Sequence, residues 1–354
     1  MKINIGLWGA GSIALTHLEA LTAIGLNVSC VVDKTLDIAS KFALENGIEY
    51  FSDDSNIFIS KGVTHVHVCT PPALHYDMVK FLLLNNINVL CEKPLCFDSK
   101  EAEELCALAK EKNLNCAVNF NVRYYPSCQD MKNIIASDDF GRVLFLHGEY
   151  LQQFHILPTS YTWRYMPKLA GNMRAITEIG THYFDLAEYL LGSKIVAVSA
   201  VLSNYNPNRK LDDSVMYNKD YDKGAELLVD SEDSAFINLK FANNVMANVV
   251  LSEVTHGKMN SLTIKISGEK SSLFFDSENS SVLQIANREK GLITKNNPFA
   301  NNSFVHSFAS LMKDFYFNAS APSFEQGKHI NDICCSIAQS NEQNNSWVEI
   351  CGKK

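Results

Sequence analysis

The chain has 354 residues, 46% of them hydrophobic, which is enough for a large core and, at this length, for two domains. A formal net charge of −8 argues against a nucleic-acid or anionic-membrane partner, and no apolar run approaches the ~18 residues that span a bilayer. The ten cysteines include no Cys-x-x-Cys pair, and Cys30, Cys69, Cys91 and Cys116 lie in apolar strand-like runs, so they read as reduced thiols of a cytoplasmic protein.

Met1-Lys2-Ile3 is expected to enter the first strand directly, with no room for a signal peptide. Ile3, Ile5 and Leu7 begin a continuous apolar run, suited to a strand buried on both faces of a parallel sheet. The run breaks at Gly9-Ala10-Gly11-Ser12-Ile13-Ala14 and resumes with helical spacing at Ile13, Leu15, Leu18, Leu21 and Ile24. This is the strand–Gly-x-Gly-x-x-(Gly/Ala)–helix pattern of a dinucleotide-binding fold. Gly9 permits the tight turn, Gly11 lets backbone approach a pyrophosphate, and Ala14 allows close helix–strand packing. The helix N-terminus offers free N–H groups and partial positive charge to the phosphates.

A second apolar run, Val28 to Val32, ends in Asp33, near the ~20-residue offset at which an acid meets an adenosine ribose hydroxyl. Asp33 favours NAD, because a carboxylate there repels a 2′-phosphate; Lys34 beside it leaves NADP open. A helix is expected over 36–46 with Gly47 as its C-cap, then a short strand near 48–51 and a helix near 54–61. His65-Val66-His67-Val68-Cys69 reads as a strand whose two histidines share one face, as strand-surface residues rather than metal ligands. Thr70-Pro71-Pro72 and His75 follow at the carboxyl edge of the sheet, where a cofactor lies in doubly wound folds. A helix over 76–85 leads to strand 89–91 and Glu92-Lys93-Pro94. A helix over 99–112 then precedes strand 116–120 and Asn121-Val122-Arg123-Tyr124. Strand and helix alternate with short connections, the pattern of a parallel sheet covered on both faces.

Beyond Tyr125 the composition changes. A helix is expected over 127–137 and a strand over 143–151, followed by a polar, aromatic loop with His155, Tyr161, Trp163 and Arg164. A helix over 174–191 comes next. Strands at 195–202, 233–241, 245–254, 261–267 and 272–276 without intervening helices indicate an open, mostly antiparallel sheet in an α+β domain. Residues 210–223 read as an exposed loop. Helices over 304–317 and 326–339 and a strand near 347–350 end the chain. The expected fold class is therefore α/β, a Rossmann domain over 1–122 with a C-terminal α+β domain over 123–354.

Lys93 is the sharpest candidate for chemistry. A lysine partly desolvated at the cofactor edge of the sheet could exchange a proton near neutral pH. In the helix over 174–191, Glu178, His182, Asp185 and Tyr189 fall at i, i+4, i+7 and i+11 and make one polar stripe. A carboxylate one turn from a histidine can orient the imidazole and raise its basicity. A metal site on Glu178 and His182 lacks a third convergent ligand, and no Gly-x-Ser-x-Gly elbow supports a serine nucleophile.

In this order and spacing the chain resembles the Gfo/Idh/MocA family of NAD(P)-dependent oxidoreductases. The residues that carry the resemblance are Gly9 to Ala14, Thr70-Pro71-Pro72 with His75, and Glu92-Lys93-Pro94. Glu178-Ile179-Gly180-Thr181-His182 with Asp185, and Pro322-Ser323-Phe324-Glu325, add to them. The resemblance implies a Rossmann domain, a C-terminal sheet that mediates dimers or tetramers, and a site between the domains. Cofactor contacts are then expected from Gly9, Ala10, Gly11, Ser12, Ile13, Asp33, Lys34, Thr70, Pro71, Pro72, His75, Glu92, Lys93 and Asn121. It also implies that Lys93 and His182 serve the reacting hydroxyl or carbonyl, with Glu178 standing where the family has aspartate. Arg123, Tyr124, Tyr161, Trp163, Arg164 and Arg174 are candidate substrate contacts, since aromatic faces suit sugar C–H surfaces and arginines suit hydroxyls or a carboxylate. The expected activity is hydride transfer between NAD(P) and a hydroxyl-bearing carbon of a sugar, cyclitol or sugar derivative. An NAD-retaining glycosidase and a non-enzymatic dinucleotide- or sugar-binding regulator are the alternatives.

Overall fold

The computed structural model describes residues 3–297 and 303–350, so the Met1-Lys2 entry to the first strand and the last four residues of the expected C-terminal domain lie outside the described residues. The chain forms two compact units, one of residues 1–124 with 304–331 and the other of residues 125–303 with 332–354. The boundary between them falls after Tyr124. Residues 304–331, however, return to the first unit.

The first unit alternates β1 (Ile5–Trp8), α1 (Ser12–Ala23), β2 (Val28–Val32), α2 (Leu36–Asn46), β3 (Tyr50–Ser52) and α3 (Asn56–Ser60). It continues with β4 (His65–Val68), α4 (His75–Leu84), β5 (Asn88–Cys91), α5 (Ser99–Glu111) and β6 (Cys116–Val118). Among the described residues these strands form one six-stranded sheet in the order β3-β2-β1-β4-β5-β6, parallel throughout. That is the doubly wound pattern, and it places the carboxyl ends of β1, β4 and β5 at one edge, where the strand order reverses. Leu7, Val66, Val89 and Leu90 are fully buried, as both-face burial of a parallel sheet requires. α1 buries Ala14, His17, Ala20 and Leu21, a stripe at helical spacing that includes one polar residue.

His65 and His67 do share a face, but His67 is fully buried rather than at the strand surface. Tyr316 and Phe315, from the π-helical turn Asp314–Asn318 after the helix Ser303–Lys313, cover that face. No sequence-local pattern announces a cover from so far along the chain.

The second unit contains α6 (Pro126–Ile135), β7 (Val143–Leu151), β8 (Thr159–Ser160), α7 (Pro167–Ala170) and α8 (Thr181–Leu191). The strands β9 (Ile195–Ser203), β10 (Asn208–Asp212), β11 (Val215–Asn218), β12 (Ala225–Leu228), β13 (Ser234–Phe241) and β14 (Met246–Ser252) follow. Then come β15 (Ser261–Gly268), β16 (Ser271–Asp276), β17 (Val282–Asn287), β18 (Gly291–Asn296) and, near the end, β19 (Val348–Glu349). Nine of these strands form an open sheet in the order β18-β17-β16-β15-β7-β14-β13-β9-β19, antiparallel except for the β7–β14 pair. Along β13 burial alternates strictly, with Ala235, Ile237 and Leu239 inside and Phe236, Asn238 and Lys240 outside. The outer face is therefore open, with Phe236, Val201 and Met246 more than 40% exposed on it.

Two expectations are corrected here. Residues 210–223 are not a loop, because β10 and β11 pair through a two-residue turn at Asp213-Ser214 with φ of 43° and 64°. That is the positive-φ geometry of a hairpin turn, and the hairpin belongs to a small sheet ordered β12-β10-β11-β8, whose largely polar strands hid it from pattern reading. The helix expected over 174–191 begins instead with a π-helical turn, Ile176–Gly180, before α8. The wider turn rotates Glu178 relative to the simple i, i+4 stripe.

Candidate active site

In the first unit the glycine turn links β1 to α1. Gly9 has φ +106°, and a Cβ there would lie 2.7 Å from the Cys69 carbonyl oxygen, so only glycine fits. Gly11 is the reverse case. A Cβ would meet nothing within 4 Å, which leaves open space in front of the free N–H groups of a 12-residue helix, flanked by Ser12 and Ile13. Asp33 closes the cradle from β2. Its Oδ2 accepts from the Ala10 N–H at 2.7 Å and its Oδ1 from the Lys34 N–H at 2.7 Å, leaving further lone pairs for a hydroxyl. An open helix N-terminus with an acid at the next strand end fits a dinucleotide.

At the β4 end, Thr70 and Pro71 are partly exposed and Pro72 is buried in a short 3₁₀ turn. His75 is fully buried, its Nδ1 2.8 Å from the Pro94 carbonyl oxygen and its Nε2 2.9 Å from that of Thr70. It ties the two loops together and presents no surface to a ligand, which corrects its reading as a direct cofactor contact. Glu92 also points inward. Its Oε1 lies 2.9 Å from His17 Nε2 and accepts from Asn119 Nδ2 at 2.6 Å, while its Oε2 accepts from the Lys93 N–H at 3.2 Å. Burial pushes the Glu92 carboxyl up, but the bond and charge of His17, the Asn119 bond and the Lys93 charge outweigh it and hold it below the usual range. Lys93 is partly exposed, and its charge acts on this carboxylate. Asn121 is buried and donates to Ser307 Oγ at 2.8 Å, and the Tyr124 hydroxyl donates to Asp314 Oδ2 at 2.9 Å, whereas Arg123 is partly exposed.

In the second unit, Glu178 and His182 are both partly exposed across the junction of the π-helical turn and α8. Arg164 Nε donates to Glu178 Oε2 at 2.9 Å, and its guanidinium lies 4.6 Å from the Trp163 ring centroid. Tyr161 stacks on Tyr165, with ring centroids 6.2 Å apart and planes 20° from parallel. Arg164 and Trp163 thus make one contact pair beside Glu178, and Tyr161 and Tyr165 a second, stacked pair.

Arg174 is different. It is 1% exposed, and its guanidinium pairs with Asp233 and with Glu253 (2.8 Å) while facing the Tyr165 ring. Arg209 meets the same Asp233 oxygen at 3.2 Å, and His155 is hydrogen-bonded to the Tyr165 hydroxyl. Arg174 therefore braces Tyr165 from inside and is removed from the substrate contacts. Sequence reasoning missed His17, Asn119, His67 and Tyr316, which join Glu92 in one buried network. The available signal was a histidine at a buried position of the α1 stripe. Among the described residues no group of three or more His, Cys, Asp or Glu is placed to hold a metal ion, and no helix is long and apolar enough to cross a membrane.

Residues 3–120 match the family described as oxidoreductases with an NAD-binding Rossmann fold, and residues 128–274 match the Gfo/Idh/MocA C-terminal domain. The chain belongs to the Gfo/Idh/MocA family. It is 30% identical over 299 residues to levoglucosan dehydrogenase of Pseudarthrobacter phenanthrenivorans, covering 80% of this chain and 76% of that protein. Glucose-6-phosphate 3-dehydrogenase of Bacillus subtilis is 25% identical over 80% of this chain and 77% of its own length. A structure of levoglucosan dehydrogenase in complex with NADH and levoglucosan superposes with a TM-score of 0.89 at 26% identity, over 99% of this chain and 100% of that one. A second, with NADH and L-sorbose, gives 0.90 at 26% identity and covers 99% of each chain. As a Gfo/Idh/MocA member the chain is an NAD-dependent oxidoreductase acting on CH–OH groups.

The buried imidazoles give a pH signature. Burial, followed by the Arg174 charge, pushes His155 down to about 3, and burial with the neighbouring His17 and His65 holds His67 well below 6.5. Below pH 6.5 the unfolded chain takes up protons that these folded imidazoles refuse, so stability falls as pH drops. Burial pushes Glu253 up to about 8, so its carboxyl takes up a proton in the folded chain over the same range and opposes this loss. The fall in urea midpoint from pH 7.5 to pH 5.0 is expected to be larger in Glu253→Gln than in the parent, and equal falls would contradict this balance.

Proposed function

We propose that this oxidoreductase transfers hydride between NAD and a ring carbon bearing a hydroxyl in a sugar, anhydrosugar or cyclitol. The observation that carries the reading is Lys93 at the carboxyl end of β5, on the same sheet edge as the open Gly11 cradle and Asp33. The relatives named for levoglucosan, inositol and glucose 6-phosphate favour a cyclic polyol, and they lend nothing to a redox-assisted glycosidase. A regulator that only binds would need neither Lys93 nor His182.

Bound NAD would supply the hydride acceptor. Gly9, Ala10, Gly11, Ser12 and Ile13 would hold its pyrophosphate at the α1 N-terminus. Asp33 would take a ribose hydroxyl, with exposed Lys34 as the feature that leaves NADP a weaker possibility, and Thr70, Pro71, Pro72 and Asn121 would shape the edge. His182 accepts the proton of the reacting hydroxyl. Glu178, held by Arg164, supplies a carboxylate to keep the imidazole basic, one methylene longer than the family's aspartate. Lys93 donates a hydrogen bond to the same oxygen as negative charge develops on it. Trp163 and Tyr161 offer flat faces to sugar C–H bonds, and Arg123, Arg164 and Tyr124 offer polar contacts.

The open outer face of the nine-stranded sheet, with Val201, Phe236 and Met246, supports assembly as a homodimer or homotetramer through that face. Reduced and mostly buried cysteines support a cytoplasmic setting.

Lys93→Ala is expected to lower kcat about 10²-fold or more while NADH affinity stays within about twofold. A screen of sugars, anhydrosugars and cyclitols followed by NADH absorbance reads this; unchanged kcat would remove Lys93 from its role. Light scattering is expected to report a dimer or tetramer, and the double variant Val201→Glu, Phe236→Glu a smaller species. A monomeric parent protein would overturn the assembly.

A further inference from the structure

The helical segment that carries Glu178 and His182 is held at both ends within the second unit. At its start, Glu232 Oε1 accepts from the backbone N–H groups of Arg174 and Ile176, each at 2.9 Å. A helix N-terminus leaves such N–H groups without partners of its own, and here a carboxylate from a distant part of the chain caps them. The clasp is reciprocal. The Arg174 guanidinium donates through Nε to Ser231 Oγ at 3.3 Å and through Nη2 to the Glu232 carbonyl oxygen at 3.2 Å, and it pairs with Asp233. At the far end, packing fixes α8. Thr181, Tyr183, Phe184, Leu186 and Leu190 are fully buried, and a Cβ on Gly180 would lie 2.7 Å from Leu251 Cδ1. Between the two fixed ends lies the π-helical turn Ile176–Gly180, which holds one residue more than a regular turn.

We propose that Glu232 is a positioning residue for the reaction: its Oε1 fixes the start of this segment, so that the extra residue is kept as a π-helical turn and Glu178 keeps its placement relative to His182. The proposal deepens the function given above and rests on the roles assigned there to His182 and Glu178. The connection is short. The Arg174 carbonyl oxygen accepts from the Glu178 N–H at 2.7 Å, so the residue whose N–H Glu232 holds is the one on which Glu178 hangs. Thr177 Oγ1 closes the same turn by donating to the Met173 carbonyl oxygen at 2.9 Å. Arg164 Nε holds only the carboxylate end of Glu178, at 2.9 Å, and leaves its backbone end to the clamp. Releasing the clamp lets the turn shed its extra residue and continue as α-helix, and one residue of slip rotates what lies upstream by about 100° against α8. For groups that act together at one reacting atom, a displacement of about 1 Å can cost about 10²-fold in rate.

What Glu232 supplies is an acceptor at the right reach rather than a charge. Both bonds fall on one oxygen, and Oε1 accepts from N–H whether the carboxyl is ionised or protonated at Oε2. Glu232 is 5% exposed, and burial pushes its carboxyl up against the backbone N–H bonds and the Arg174 charge that pull it down. The two buried guanidinium groups nearby have other carboxylates: Arg174 pairs with Asp233 and Glu253, and Arg209 with Asp233. An amide oxygen in the place of Oε1 therefore serves as well, whereas a carboxylate one methylene shorter does not reach both N–H groups.

The test compares Glu232→Gln, which keeps the acceptor and drops the charge, with Glu232→Asp, which keeps the charge and draws the acceptor back. The His182 imidazole is followed against pH by NMR of the full chain labelled at histidine, and kcat and KM are measured with an active polyol. In Glu232→Asp the His182 titration midpoint is expected to fall by about half a pH unit or more as the Glu178 carboxylate moves away. Its kcat is expected to fall about tenfold or more, with the KM for NAD within about twofold. Glu232→Gln is expected to keep the parent midpoint and most of the parent kcat. A parent-like midpoint and kcat in Glu232→Asp, or losses in Glu232→Gln as large as in Glu232→Asp, would overturn the proposal. So would a lowered melting temperature in Glu232→Asp with the His182 midpoint unmoved, the mark of a merely structural clasp. Should Glu232→Asp not fold, Glu232→Gln decides: a shifted midpoint there overturns the proposal and a parent-like one upholds it. If no polyol turns over, the function reading fails while the His182 midpoints still decide the placement.

Discussion

A buried carboxylate is expensive unless it is surrounded by donors, and in the first unit Glu92 is the group that must be satisfied. It draws on α1 through His17, on the residue after β6 through Asn119, and on its own chain through the Lys93 N–H. These three attachments connect the helix that follows the open glycine turn with the strand end that carries Lys93. His17, in turn, reaches His67 and the Tyr316 cover, so the segment after residue 303 is tied to the first unit by the same network. The cradle, the lysine and the cover are thus parts of one polar arrangement, not separate motifs on a common sheet.

The second unit solves a related problem with two cations. Arg174 and Arg209 are both buried, and Asp233 serves both, with Glu253 taking the other side of Arg174. Breaking such a cluster by removing one member strands the others without water, which typically costs about 3–5 kcal/mol. The cluster lies under Tyr165, whose ring carries Tyr161, and so it stiffens the aromatic surface next to Trp163, Arg164 and Glu178.

Much of the first unit was legible because its signals are local. Gly9, Gly11, Ala14, Asp33 and Glu92-Lys93-Pro94 announce their positions by spacing along the chain, and the structure places the glycines, Asp33 and Lys93 at the expected sheet edge. What escaped depends on distant partners. His17 meets a histidine 50 positions away, and His67 meets a tyrosine 249 positions away, so nothing local singled out the former and the latter read as strand surface. Arg174 read as a substrate contact because its partners Asp233 and Glu253 flank much later strands. The hairpin at 208–218 was hidden by polar strands, and the π-helical turn at 176–180 by the fact that periodicity cannot tell one widened turn from a regular helix.

The account stands on hydride moving directly between the substrate carbon and NAD. The most direct measurement incubates the protein with NAD and a panel of cyclic polyols deuterated at carbon, and analyses the reduced cofactor by mass spectrometry. A member of the panel that yields NADH carrying a single deuterium, with none from the same compound unlabelled at carbon, is the predicted result. NADH formed without deuterium, or product released from a glycoside with no labelled NADH at all, would contradict it.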